Sequence, residues 1–138
     1  MIGIVIVAHG GLAREYLAAM EHVVGPQAQV RTISIEDMHN RESKSDEICR
    51  AADEVDHGDG VVVVTDIFGG SPSNLALPAC AVRNRVILYG ANLPMLIKLA
   101  KLRHLPAPNA AALAAEAGRK YIDSYNVLDE LSARRAAQ

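Results

Sequence analysis

Two stretches of this chain, IGIVIV at residues 2–7 and GVVVVT at residues 60–65, carry almost no polar side chain. A strand with one wet face alternates apolar and polar residues. An unbroken apolar run belongs instead to a strand covered on both faces, as in a parallel sheet between two layers of helices. Two more β-branched runs, VRTISI at 30–35 and RVILY at 85–89, complete a set of four. VRTISI alternates more and reads as a strand nearer an edge.

Helical patterns separate these runs. Leu12, Tyr16, Leu17, Met20, Val23 and Val24 fall on one stripe of a helix over residues 12–24, which Gly25-Pro26 stops. Residues 41–55 are polar, with Ile48, Cys49, Ala52 and Val55 as a narrow inner face and Asn40 or Ser43 as the cap. Ser71-Pro72 pairs a hydroxyl cap with a proline at the first helical position, and that helix is expected to reach about Val82. A fourth opens near Leu93-Pro94 and carries Met95, Leu96, Leu99 and Leu102. Strand and helix in alternation predict an α/β fold, a three-layer doubly wound, mostly parallel sheet flanked by helices.

The tail reads differently. Leu105-Pro106-Ala107-Pro108 breaks the pattern, an alanine-rich helix follows from about Asn109, and Gly118 is expected to end it. The Ala/Pro segment has a second reading as a linker, although too few residues follow it to build another domain. In RKYIDSYNV, residues 119–127, Tyr121, Asp123 and Tyr125 alternate with Ile122 and Ser124. That predicts an extra edge strand, added to this sheet or lent to a partner chain, before a short polar helix.

Composition narrows the function classes. A chain of 138 residues, 50% of them apolar, reads as one domain over 1–138 with an aliphatic core, since Trp is absent and Phe occurs once. A formal net charge of −2 argues against nucleic acid, which needs Lys and Arg clustered on one face. Cys49 and Cys80 have no metal-ligand spacing and suit a reducing compartment. The apolar start, residues 1–8, is too short for a signal-peptide core, and no run reaches the roughly 18 apolar residues of a membrane span. The expected location is the cytoplasm.

In an open parallel sheet, ligands bind beyond the carboxyl ends of the strands, where strand order reverses. His9 stands at the end of the first strand, directly before Gly10-Gly11. The third strand ends in Thr65-Asp66-Ile67-Phe68-Gly69-Gly70-Ser71-Pro72, and the fourth in Tyr89-Gly90-Ala91-Asn92-Leu93-Pro94. If the first and third strands are neighbours, His9 and Asp66 emerge side by side. A carboxylate on one imidazole nitrogen fixes the tautomer, frees the other lone pair and stabilises the cationic ring; a basic or nucleophilic histidine needs all of these. Gly69-Gly70-Ser71 at a helix start offers backbone N–H groups and a hydroxyl to an anion. A histidine carrying a phosphoryl group needs that set.

Each element has a plainer reading: a hydrogen-bonded structural histidine, a loop-capping aspartate, a well-formed helix start. No Walker A string and no G-x-G-x-x-G occurs, so no nucleotide is implied. His22, His39, His57 and His104 read as surface or helix-end residues without metal spacing to His9. Glu36, Asp37, Glu42, Asp46 and Glu47 read as a solvated face.

A strand ending in A-H-G, a later one ending in D-I-F-G-G-S-P-S-N, and the piece G-A-N-L-P-M-L together resemble the IIA component of the mannose/fructose/sorbose class of the bacterial phosphoenolpyruvate-dependent sugar phosphotransferase system. The resemblance covers nearly the whole chain. It implies that His9 accepts a phosphoryl group from the carrier protein HPr and passes it to a histidine of a IIB component, for sugar uptake through membrane IIC and IID components. It implies that Asp66 bonds the active histidine and that Gly69, Gly70 and Ser71 hold the phosphoryl group. It implies a rim shaped by Gly10, Phe68, Asn92 and Pro94. It implies a homodimer in which a C-terminal antiparallel strand, here RKYIDSYNV, packs on the partner's sheet. Transfer between two histidines requires in-line positioning and charge stabilisation, so no cofactor and no metal is expected. Some members continue through an Ala/Pro linker into IIB; this chain is expected to be a stand-alone IIA or one trimmed to that domain. Gly11 stands where some members carry a bulky residue.

Three other readings compete. One is a regulatory protein that signals by the phosphorylation state of His9. Another is the related phosphotransfer subunit of dihydroxyacetone kinase, which Gly-Gly-Ser-Pro fits less well. The third is an anion-binding α/β module in which His9 does no chemistry.

Overall fold

The computed structural model describes residues 1–36, 40–67 and 71–137, with the backbone alone at 71–73. The four apolar runs form strands β1 (Gly3–His9), β2 (Val30–Ile35), β3 (Val61–Thr65) and β4 (Arg85–Tyr89). Their order is β2-β1-β3-β4 and every pairing is parallel. Helices α1 (Leu12–Val24), α2 (Arg41–Val55), α3 (Ser71–Ala76), α4 (Leu93–Lys101), α5 (Ala107–Lys120) and α6 (Val127–Ala137) complete the chain.

Double-sided burial explains the unbroken apolar runs. Ile4, Ile6 and Ala8 of β1 and Val62 and Val64 of β3 pack with residues of α1, α4 and α5. The alternate residues Val5, Val7, Val61 and Val63 pack with α2 and α3. A polar side chain at any of these positions would meet a core on either face. The chain runs from β1 to β2 on one side and then crosses to β3 on the other, so strand order reverses between β1 and β3.

The helix ends follow local chemistry. Asn40 caps α2, its side-chain oxygen accepting the Ser43 N–H at 2.9 Å. The third helix is shorter than its sequence pattern. It stops at Ala76, and a 3-10 turn takes over at Pro78–Cys80, because a proline without an N–H cannot continue an α-helix.

Two expectations for the tail change. The Ala/Pro segment is no linker: α5 begins at Ala107 and buries Ala107, Ala110 and Ala114 against the sheet. Gly118 does not end α5 but lies within it, where a Cβ would stand 3.1 Å from the Met95 Cβ and 3.2 Å from the Asn92 Oδ1. It is a close-approach glycine between α4 and α5. Arg119 and Lys120 are the last residues of α5, and residues 122–126 pair with no strand among the described residues before α6 begins. Among the described residues, no helix is long and apolar enough to cross a membrane.

Candidate active site

β1 and β3 are hydrogen-bonded neighbours in register Val7↔Thr65, so His9 and Asp66 do emerge side by side. One carboxylate oxygen serves the histidine twice. Asp66 Oδ2 accepts from the His9 ring at Nδ1, 2.8 Å away, and from the His9 backbone N–H, 3.1 Å away. Asp66 Oδ1 accepts the N–H of Ile67 at 2.9 Å. The proton on Nδ1 is assigned by its carboxylate partner, which leaves the Nε2 lone pair as the free one.

The pair combines a sheltered anion with an accessible ring: the Asp66 side chain is 7% exposed and that of His9 49%. Burial pushes the Asp66 carboxyl upward. The His9 ring hydrogen bond, the His9 N–H, the imidazole charge and the Ile67 N–H together outweigh it and hold the group below the usual carboxylate range. Asp66 is therefore an anion at neutral pH, available to stabilise a cationic or phosphorylated ring.

The turn after His9 is fixed from β2. The Gly10 N–H donates to the Ile35 carbonyl at 3.1 Å, and the Ser34 hydroxyl donates to the Gly10 carbonyl. Gly10 has φ +53° with nothing within 4 Å of a would-be Cβ. Its glycine is required by backbone conformation, since that region strains other residues.

The remaining predicted positions fare differently. Asn92 and Pro94 do follow β4, but the Asn92 side chain is turned to structure. Its oxygen caps α4 by accepting the Met95 N–H at 3.0 Å, and its amide donates to the Gly118 carbonyl at 3.2 Å. Phe68, Gly69 and Gly70 lie outside the described residues, as does the side chain of Ser71.

The structure brings to the site residues that the sequence named only as parts of a helix stripe or of a strand end. Leu12, Ile67 and Tyr89 sit at the carboxyl ends of the strands and are 43%, 55% and 50% exposed. The side chain of Tyr16 also reaches this end, where its hydroxyl donates to the Ala91 carbonyl at 3.3 Å. Its signal was a tyrosine on an otherwise aliphatic stripe, because a buried phenol needs a partner for its hydroxyl.

Together these features define a doubly wound α/β protein whose switch point presents a half-exposed histidine on a buried carboxylate. The family model described as "PTS system fructose IIA component" matches residues 3–117, and the chain belongs to that family, the IIA components of the mannose/fructose/sorbose class of the phosphotransferase system. It is 30% identical over 122 residues to the PTS system mannose-specific EIIAB component of Escherichia coli (strain K12), an alignment covering 86% of this chain and 38% of that protein. The chain thus spans well under half the length of that relative. Among solved structures, the mannose/sorbose-specific IIA subunit from Enterococcus faecalis superposes with a TM-score of 0.81 at 23% identity, over 91% of this chain and 96% of that one. The PTS IIA protein associated with the fucose utilization operon from Streptococcus pneumoniae gives 0.74 at 27% identity, over 94% and 95%.

Proposed function

We propose that this protein is a phosphoryl carrier of sugar uptake: His9 takes a phosphoryl group from phosphorylated HPr and gives it to a histidine of a IIB component. The observation that carries this reading is the hydrogen bond of 2.8 Å between His9 Nδ1 and Asp66. In the first step the Nε2 lone pair attacks phosphorus. The N–P bond of the donor histidine breaks, and its electron pair stays with the donor ring. The Nδ1 proton remains between His9 and Asp66, whose charge offsets the positive charge the ring acquires. The second step is the same displacement run outward, with His9 as the leaving group.

The exposed apolar side chains of Leu12, Ile67 and Tyr89 around the histidine suit a partner that is itself a folded protein, since a small ligand would call for an enclosed pocket. Gly69, Gly70 and Ser71 are proposed as phosphoryl-holding groups, with Gly10 and Phe68 on the rim. The domain is taken as residues 1–138 acting in the cytoplasm, beside membrane IIC and IID components.

Intact mass after incubation with phosphoenolpyruvate, enzyme I and HPr tests the proposal. The expected result is one added acid-labile phosphoryl group, absent from a His9→Ala variant that keeps its circular dichroism spectrum. No added mass, with HPr shown to be phosphorylated, refutes the carrier reading.

A further inference from the structure

Tyr16 belongs to the apolar stripe of α1, yet its hydroxyl leaves the core. The ring packs against the cluster shared by α1, α4 and α5. Helical side chains lean toward the N-terminus of their own helix. Because α1 begins directly after His9-Gly10-Gly11, that lean carries the ring toward the strand ends. α1 packs on α4 as well as on β1 and β2, and Ala91 stands between β4 and α4. The bond of 3.3 Å from the Tyr16 hydroxyl to the Ala91 carbonyl therefore ties the helix that follows His9 to the segment that follows β4.

Ala91 is held through both of its backbone groups. Its N–H donates to the Thr65 carbonyl at 3.1 Å, and Thr65 precedes Asp66. A closed circuit results: His9 to Asp66, Thr65, Ala91, Tyr16, and back along α1 to Gly11. The proximity of Tyr16 to the carboxylate is also electrostatic. Burial first, and the Asp66 charge second, hold the phenol above its ordinary range, so it remains a hydrogen-bond donor at neutral pH.

We infer that Tyr16 is a positioning residue for transfer at His9: its hydroxyl fixes the Ala91 peptide, and with it the rim between β4 and α4, at a set distance from the His9–Asp66 pair. This rests on the carrier reading above. A docked partner leans on that rim while its histidine must line up with Nε2. In-line displacement tolerates little misplacement, of the order of 1 Å for a 10²-fold loss.

The test compares the parent with Tyr16→Phe, which keeps the ring and loses only the hydroxyl. Single-turnover transfer is followed at rising concentrations of phosphorylated HPr, kcat here being the limiting rate constant and KM the half-saturating donor concentration, and hydrogen exchange is followed at the Ala91 amide. The expected result is a kcat lower by about 3- to 10-fold with KM within about twofold of the parent, as for a lost neutral hydrogen bond that aligns rather than binds. Exchange at Ala91 is expected to quicken by a similar factor. A Phe variant with parental kcat, or one whose loss lies wholly in KM, overturns the inference. So does a slower Tyr16→Ala beside an unchanged Phe variant, which would assign the effect to ring packing. A parent that takes no phosphoryl group refutes the carrier reading instead; unchanged exchange at Ala91 would then overturn the strut as well, and quickened exchange would keep it as a support of the rim.

Discussion

At His9 the two ring nitrogens are given different work by a single neighbouring oxygen. Asp66 Oδ2 occupies Nδ1, and the backbone N–H of the same histidine holds that oxygen in place. Asp66→Asn keeps the size and removes the charge. Transfer from phosphorylated HPr is expected to slow by about 10²-fold without vanishing, because His9 remains; rapid-quench rates matching the parent would take Asp66 out of the reaction. The same contacts set an acid limit. The folded Asp66 carboxyl lies below its unfolded value of about 3.9, so the native state binds fewer protons than the unfolded one. Its stabilisation is complete above about pH 4 and is lost as pH falls through the folded value. Asp56 behaves alike: burial raises it, but the Gly58 N–H, the Arg85 side chain and the Gly60 N–H bring it below the usual range. Asp66→Asn and Asp56→Asn are each expected to flatten the stability profile below about pH 4, measured by urea unfolding at pH 7, 4 and 3. Parental acid slopes in both variants would refute this account.

At the scale of elements, the legible part was whatever leaves a periodic trace. GVVVVT had to be a doubly covered strand, and the neighbouring of β1 and β3 then placed Asp66 beside His9. What escaped the sequence depended on three-dimensional approach. Gly118 reads as a helix stop by residue type, yet it lies within α5, where Asn92 and Met95 leave little room for a Cβ. Asn92 reads as a rim residue because it follows β4, but its side chain caps α4 and ties it to α5. Tyr16 left one trace, a phenol on an aliphatic stripe, but helical spacing alone does not say where its hydroxyl bonds. The double duty of Asn92 predicts a stability cost: Asn92→Ala removes the α4 cap and leaves the Gly118 carbonyl without its side-chain donor. Chemical denaturation is expected to show a loss of about 1–2 kcal/mol. A change below about 0.3 kcal/mol would mean that neither bond matters to the fold.

At the scale of the whole molecule, the unresolved question of the sequence, a strand kept or lent, becomes one of exposed surface. Among the described residues, 122–126 pair with no strand of their own chain, and Ile122 and Leu128 are 73% and 74% exposed. The helix that follows, α6, has 11 residues and buries none of them, short of the roughly 12–15 that an isolated helix needs even with good formers. Meanwhile, among the described residues, β4 pairs only with β3, leaving that edge of the parallel sheet open. The family resemblance implies that RKYIDSYNV packs as an antiparallel strand on the partner's sheet; a second copy answers both demands if its residues 122–126 add to the β4 edge. The prediction is a dimer in light scattering at micromolar concentration, and a folded monomer once residues 122–138 are deleted, since no buried residue of the described segment is lost with them. The shortened monomer should still take a phosphoryl group, because His9, Asp66 and Tyr16 all precede the deletion. A full-length chain that stays monomeric sinks the exchange, and a shortened chain that still dimerises moves the interface to another face.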